Sequence, residues 1–260
     1  MTPVNIGGAA APTFAAVHSI PILAAVLPSS HRPPGAARIL ELFAGARRIR
    51  ADLRTHRQHA PLRGRNLALL IDDQLAEKRA LLQRAATEIG ARVAQVRYRP
   101  QTGTPHADVG LVARTLGRMY DAIDCGTLPA ATVHQIEAAA GVPVYEGLGL
   151  DSHPLRLLAD LMTLHEHPLP PATPLSIRFI GDASSGQGKA FVSAARNIGF
   201  EVTAVHAAAP AAADATFVIE AYRQAHWPIR TCAGAIDDNR RTENHCNLIQ
   251  AVLIDSIGQA

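Results

Sequence analysis

The sequence predicts a two-lobed α/β protein with parallel sheets flanked by helices. Three observations carry that expectation. Short apolar runs of strand length alternate with stretches of helical period, Gly90 stands where a helix should stop, and the proline-rich segment PLPPATP (168–174) separates two such sets. A parallel pair needs a crossover, and the alternation supplies one between successive strands.

The chain has 260 residues, 48% of them hydrophobic, enough for a substantial buried core. Its formal charge of +3 comes from scattered Arg and Lys, and four Tyr and one Trp offer little base stacking, so no nucleic-acid partner is expected. Cys125, Cys232 and Cys246 are too few and too dispersed for a disulfide framework or a zinc site. A reducing, cytoplasmic setting with no metal or cofactor is the expectation. The apolar stretch Ile20–Leu27 is broken by Pro21 and has no basic residue before it, so it does not read as a secretory signal. No run approaches the roughly 20 apolar residues of a membrane span.

Along the chain, residues 1–36 carry Pro3, Pro12, Pro21, Pro28, Pro33 and Pro34 among Ala and Gly and read as an arm. From Ala37 to His56, Ile39, Leu40, Leu42, Phe43, Ile49 and Leu53 recur at helical spacing, with Arg on the other face. NLALLID (66–72) is a strand, followed by a helix from Leu75 to Ile89 closed by Gly90 and a strand from Arg92 to Arg97. The order repeats around Tyr120–Cys125 and Val142–Tyr145, and His153–His167 makes a long apolar helix that completes a lobe spanning 37–167. In the second lobe, 168–260, SIRFIGD (176–182), EVTAVHA (201–207) and ATFVIEA (215–221) are strands. Lys189–Ile198 and Glu243–Ile257 are its helices.

Some motifs fail on their own terms. GDASSGQGKA (181–190) would need Gly in place of Ala183 and Ser or Thr in place of Ala190 to cradle phosphate as a P-loop. Gly186-Gln187-Gly188 lacks the third glycine of a dinucleotide turn. His165, Glu166 and His167 are adjacent near a helix end and point apart, so no metal site is expected there.

LGRMYDAI (116–123), GVPVYEGL (141–148) and HPLRLLADLMTLHEH (153–167), in this order and spacing, resemble the ornithine carbamoyltransferases within the ornithine/aspartate carbamoyltransferase family. RGRNLALLIDD, FIGD, TEN and IQAVL extend the resemblance from about residue 19 to 257, with one large gap. It implies a two-lobed transcarbamylase-like fold whose first lobe holds carbamoyl phosphate and whose second holds the amino acid, with the second lobe truncated here, since only HAAAPAAAD stands between Val205 and Ala215 where relatives carry a helix-strand unit or more. The family holds the phosphate with a Ser-Thr-Arg-Thr-Arg motif at a helix N-terminus, where an anion meets backbone donors and the positive end of the dipole.

An ungapped alignment puts Leu75, Ala76, Glu77, Lys78 and Arg79 over that motif, and only Arg79 matches. Each charge-assisted hydrogen bond lost is worth roughly 1.5–3 kcal/mol. Glu77 sets a carboxylate where a guanidinium should face phosphate. Lys78 offsets part of this if it turns inward, and does nothing as a solvated helix-face Lys. Asp72, Asp73 and Glu77 either favour a cation in the cleft or serve as ordinary acids at a helix N-terminus.

A second phosphate-directed Arg of the family is Gly126 here, the Gln three residues after the catalytic His is Arg156, and the Arg after Glu-Asn in the last helix is His245. His153 matches the His that polarises the carbamoyl carbonyl, but His-Pro at a helix start is also a capping device. On the amino-acid side, Ser185 and Gly186 replace paired asparagines after the Gly-Asp ending in Asp182. The candidate catalytic residue is therefore His153. The candidate ligand-binding residues are Glu77, Lys78, Arg79, Arg156, Asp182 and Ser185.

What the resemblance implies for function is a family protein that has lost its carbamoyl phosphate site. It either binds an amino acid or amine in the old cleft, or performs an altered transfer there. The alternatives are a non-catalytic subunit in complex with another enzyme and a residual carbamoyltransferase. Relatives form trimers, so a homo-oligomer is implied as well.

Overall fold

The computed structural model describes residues 35–55, 60–71, 80–98, 107–184, 186–205, 215–222 and 227–258. Glu77, Lys78, Arg79 and Ser185, with Asp72, Asp73 and the expected arm up to residue 34, lie outside the described residues.

The first lobe opens with α1 (Ala36–Thr55), then β1 (Asn66–Ile71), α2 (Ala80–Glu88), β2 (Arg92–Arg97), α3 (Ala107–Met119), β3 (Ala122–Asp124), α4 (Ala130–Ala140), β4 (Val144–Tyr145) and α5 (Pro154–His165). Its four strands are all parallel, in the order β2-β1-β3-β4. The apolar run of β1 divides by the two-residue period of a strand. Leu67 and Leu69 join the core beneath α1, α2, α5 and α7, whereas Ala68 and Leu70 join a second cluster with Ala113 and Leu116 of α3 and Val133 and Ile136 of α4. Both faces of the sheet are therefore covered. Gly90 ends α2 at φ 92°, where a Cβ would lie 2.6 Å from that of Ala60, so the turn requires glycine.

The second lobe holds β5 (Ser176–Gly181), α6 (Gly186–Asn197), β6 (Glu201–Val205), β7 (Phe217–Ala221), β8 (Ile229–Thr231), β9 (Gly234–Ala235) and α7 (Asp238–Ile257). The order is β6-β5-β7-β8-β9, parallel from β6 to β7 and antiparallel beyond. Two differences from the sequence reading follow. The stretch WPIRTCAGA (227–235) contributes a short antiparallel edge, anchored where buried Trp227 meets Phe179 and Phe191 edge-on at 5.4 and 5.6 Å. α7 starts at Asp238 instead of Glu243, because Asp237 caps it by accepting from Asn239 N–H at 2.9 Å. Truncation shows in the crossover: β6 ends at Val205 and β7 begins at Phe217, so 11 residues connect them.

One core runs through both lobes. It includes Leu67 and Leu69 of β1, Leu158, Leu161 and Met162 of α5, Leu248 and Val252 of α7, and Ile177 and Phe179 of β5. α5 and α7 are thus the shared spine, and their polar face shapes the region between the lobes. No helix among the described residues is long and apolar enough to cross a membrane.

Candidate functional site

In each sheet the strand order reverses beside the first strand, at β1/β3 and at β5/β7, and such switch points open crevices at the carboxyl ends of the strands. Asp124 ends β3, residues 146–153 lead from β4 into α5, and Asp182 follows β5. Gln187 Nε2 at the start of α6 donates to Ser152 O at 2.8 Å, joining the crevice loops of the two lobes.

Asp124 is 4% exposed, and its carboxylate organises the first-lobe side. Oδ1 accepts from Gly126 N–H at 3.0 Å, and Oδ2 accepts from Gly147 and Leu148 N–H at 3.1 and 3.0 Å. The chain wraps around the carboxylate through Gly126 at φ 59°. The position where the resemblance implies a phosphate-directed Arg is a left-handed turn built on a buried negative charge. Neighbouring Cys125 is buried too, and its thiol is pushed up to about 12 by that burial and then by Asp124, so it is no nucleophile at neutral pH.

His153 is the N-cap of α5. Pro154 occupies the first helical position, and Leu155 N–H donates to His153 Nδ1 at 3.1 Å. That bond fixes the tautomer: Nδ1 carries the lone pair and Nε2 the proton. Burial pushes the ring down to about 4, so it is neutral at pH 7. The capping and functional readings of His153 are compatible, since the cap leaves an N–H donor on the far side of the ring.

Arg156 stands one turn on and is 5% exposed. Its guanidinium lies 3.5 Å from Asp160 and 3.8 Å from Asp151. Asp160 is also gripped by Arg241 of α7, through Nε at 2.8 Å and Nη2 at 3.0 Å, while Nη1 of Arg241 donates to Asp238 at 2.7 Å. Arg241 is 1% exposed. Deeper along the spine, Asn244 Nδ2 donates to Thr163 Oγ1 at 3.0 Å.

His245, fully buried on α7, lies 3.0 Å through Nε2 from Leu148 O. A carbonyl only accepts, so Nε2 holds the proton. Burial first, then the Arg156 charge and His153, push His245 down to about 3. Arg156 therefore sits close to His245. The two positions at which the resemblance implies Gln and Arg hold Arg and His, on α5 and α7.

Among the described residues the buried charges balance. Arg156 and Arg241 oppose Asp124 and Asp160, while half-exposed Asp151 and exposed Asp182 and Asp238 add only negative charge. Asp182 Oδ1 accepts from Ser184 N–H at 2.8 Å and Oγ at 2.6 Å, a turn leading into α6. Of the residues singled out from sequence, His153, Arg156 and His245 come together, and Asp182 lies across the crevice loop. Asp124, Asp160 and Arg241 were missed, although an Asp inside the apolar run LLADLMTL signals a buried partner.

The two histidines set a pH dependence. Their folded values lie below the unfolded value of about 6.5. The unfolded chain therefore binds more protons between that value and the folded ones, and stability rises with pH across the interval. The contribution is complete above about pH 6.5 and fades as pH falls toward 4, on the order of a few kcal/mol. Urea unfolding between pH 7 and 4.5 should show this slope, and His245→Phe should flatten it.

Comparison with known proteins agrees with this architecture. Residues 35–166 match the aspartate/ornithine carbamoyltransferase, carbamoyl-P binding domain family. A catabolic ornithine carbamoyltransferase of Chromobacterium violaceum is 34% identical over 155 residues, 57% of this chain and 44% of that relative, so the match spans less than half of the relative's length. Among solved structures, a putative aspartate carbamoyltransferase of Leishmania major aligns with TM-score 0.64 at 16% identity, over 91% of this chain and 98% of that one. The ornithine carbamoyltransferase of Pyrococcus furiosus aligns with TM-score 0.63 at 19% identity, over 87% and 95%. By the match over its first lobe, the chain belongs to the aspartate/ornithine carbamoyltransferase family.

Proposed function

We propose that this family member no longer handles carbamoyl phosphate and that its cleft takes an amino acid or amine, bound as such or used in an altered transfer. The observation that carries this reading is the charge balance of the crevice. Asp124 fills the turn at Gly126, and the buried guanidiniums of Arg156 and Arg241 are opposed by buried carboxylates. A phosphate dianion needs surplus positive charge and free donors, whereas Asp151 and Asp182 at the loops beside Ser152 suit an ammonium. His153, with its proton on Nε2, is the residue placed to donate to a ligand carbonyl.

Two assays test the proposal together. The purified chain should form no ureido product from ornithine and carbamoyl phosphate, and titration with ornithine, putrescine and arginine should give saturable heat with at least one. Ureido product at enzymatic rates, or silence with every amine, counts against it.

A second reading, a non-catalytic subunit in a homotrimer or with another enzyme, draws support from Leu111 and Met119 of α3, which are 58% and 60% exposed. Sedimentation of the pure chain as a monomer at micromolar concentration, with no enzyme co-purifying, would remove it.

A further inference from the structure

At the far end of the spine, about 18 Å along α5 from His153, three guanidiniums converge on one carboxylate. Glu166, the C-cap of α5, has a side chain only 9% exposed. Arg50 of α1 meets it bidentately, at 3.1 Å through both Nη1 and Nη2, and its Nη1 also donates to Asn244 Oδ1 at 3.0 Å. Arg47 Nε lies 3.8 Å from the same carboxylate and donates to Phe43 O at 3.3 Å. Arg240, near the start of α7, adds its Nη2 at 3.6 Å.

Three cations against one anion leave a surplus of two positive charges in a space a few ångströms across. The positive end of the 20-residue α7 adds to it. Of the acids at that helix start, Asp238 is paired with Arg241, and Asp237, the cap, keeps its charge and offsets part of the helix end. His165 beside the cluster registers the field, since burial and then Arg47 lower its pKa. Arg47 and Arg240 are 41% and 48% exposed, so their guanidiniums are open to solvent.

We infer that Arg47, Arg50 and Arg240 form a binding site for a small multivalent oxyanion, behind the spine and separate from the crevice. Guanidinium forks suit phosphate and carboxylate oxygens, and a bound oxyanion would relieve the mutual repulsion of the three arginines. Glu166 is the built-in competitor: it holds the arginines in place and weakens the site for an outside anion.

Inorganic pyrophosphate is the probe, titrated calorimetrically into the full chain at low ionic strength, where screening is weak. The wild type should bind one equivalent. Glu166→Gln should tighten binding about tenfold, and the double variant Arg47→Gln/Arg240→Gln should weaken it by about the same factor or abolish it. Circular dichroism confirms that each variant is folded, which these half-exposed arginines permit. Absence of binding to both wild type and Glu166→Gln overturns the inference. So does binding that the double variant leaves unchanged, which would place the anion elsewhere, as in the crevice. Tighter binding of a single-stranded oligonucleotide through the same arginines would replace a small ion by a polymer as the ligand.

Discussion

Exchanging Arg241 for Met lowers the unfolding free energy by about 3–5 kcal/mol, the range for breaking a buried ion pair from one side. Asp160 is 2% exposed and would lose a bidentate partner at 2.8 and 3.0 Å, keeping only Arg156 at 3.5 Å. Its carboxylate would then be desolvated without compensation. Removing the acid as well, in Arg241→Met/Asp160→Leu, should recover much of the loss, because an apolar pair of similar volume replaces a buried ion pair at little net cost. Urea denaturation of the three proteins checks both steps. A loss below 1 kcal/mol for the single variant would mean that the spine does not depend on this pair.

Asp124→Ala should destabilise by about 3 kcal/mol or more, since hydrogen bonds to a charged acceptor contribute roughly 1.5–3 kcal/mol each and are not additive. Three N–H groups, of Gly126, Gly147 and Leu148, lose their acceptor together. The effect should reach α7, because Leu148 also offers its carbonyl to His245. Hydrogen exchange at Gly147 and Leu148 should speed up, whereas Asp124→Asn, which keeps one carbonyl acceptor, should lose less. Unchanged exchange at those amides would show that the carboxylate does not hold the loop.

Much of the fold was legible in the sequence because β1 is a continuous apolar run, Gly90 marks the turn before β2, β5 carries Ile177, Phe179 and Ile180, and α5 carries its own cap in His-Pro. The antiparallel edge was not legible. β8 and β9 are three and two residues long, too short for a period, and their pairing is set by the packing of Trp227. The start of α7 was hidden because DDNRRT is polar, and the burial of Arg241 depends on a partner 81 positions away.

The site was legible by halves. The replacement of a phosphate-directed Arg by Gly126 could be read from resemblance, but its physical cause could not. That cause is a left-handed turn around Asp124, and the carboxylate's other two donors come from a loop more than twenty residues on. Likewise Arg156 and His245 read as two separate departures, and only the packing of α5 against α7 puts the Arg156 charge beside His245. Glu77, Lys78, Arg79 and Ser185 lie outside the described residues, and their roles remain those the resemblance implies.

The most direct measurement is calorimetric titration of the pure chain with carbamoyl phosphate at pH 7.5, alone and with an amine that binds. A crevice whose buried charges cancel among the described residues and whose turn is filled by Asp124 should give no saturable heat up to millimolar ligand, with or without the amine. A micromolar dissociation constant that rises when Arg156 is replaced by Gln would show a working phosphate cradle and contradict the account.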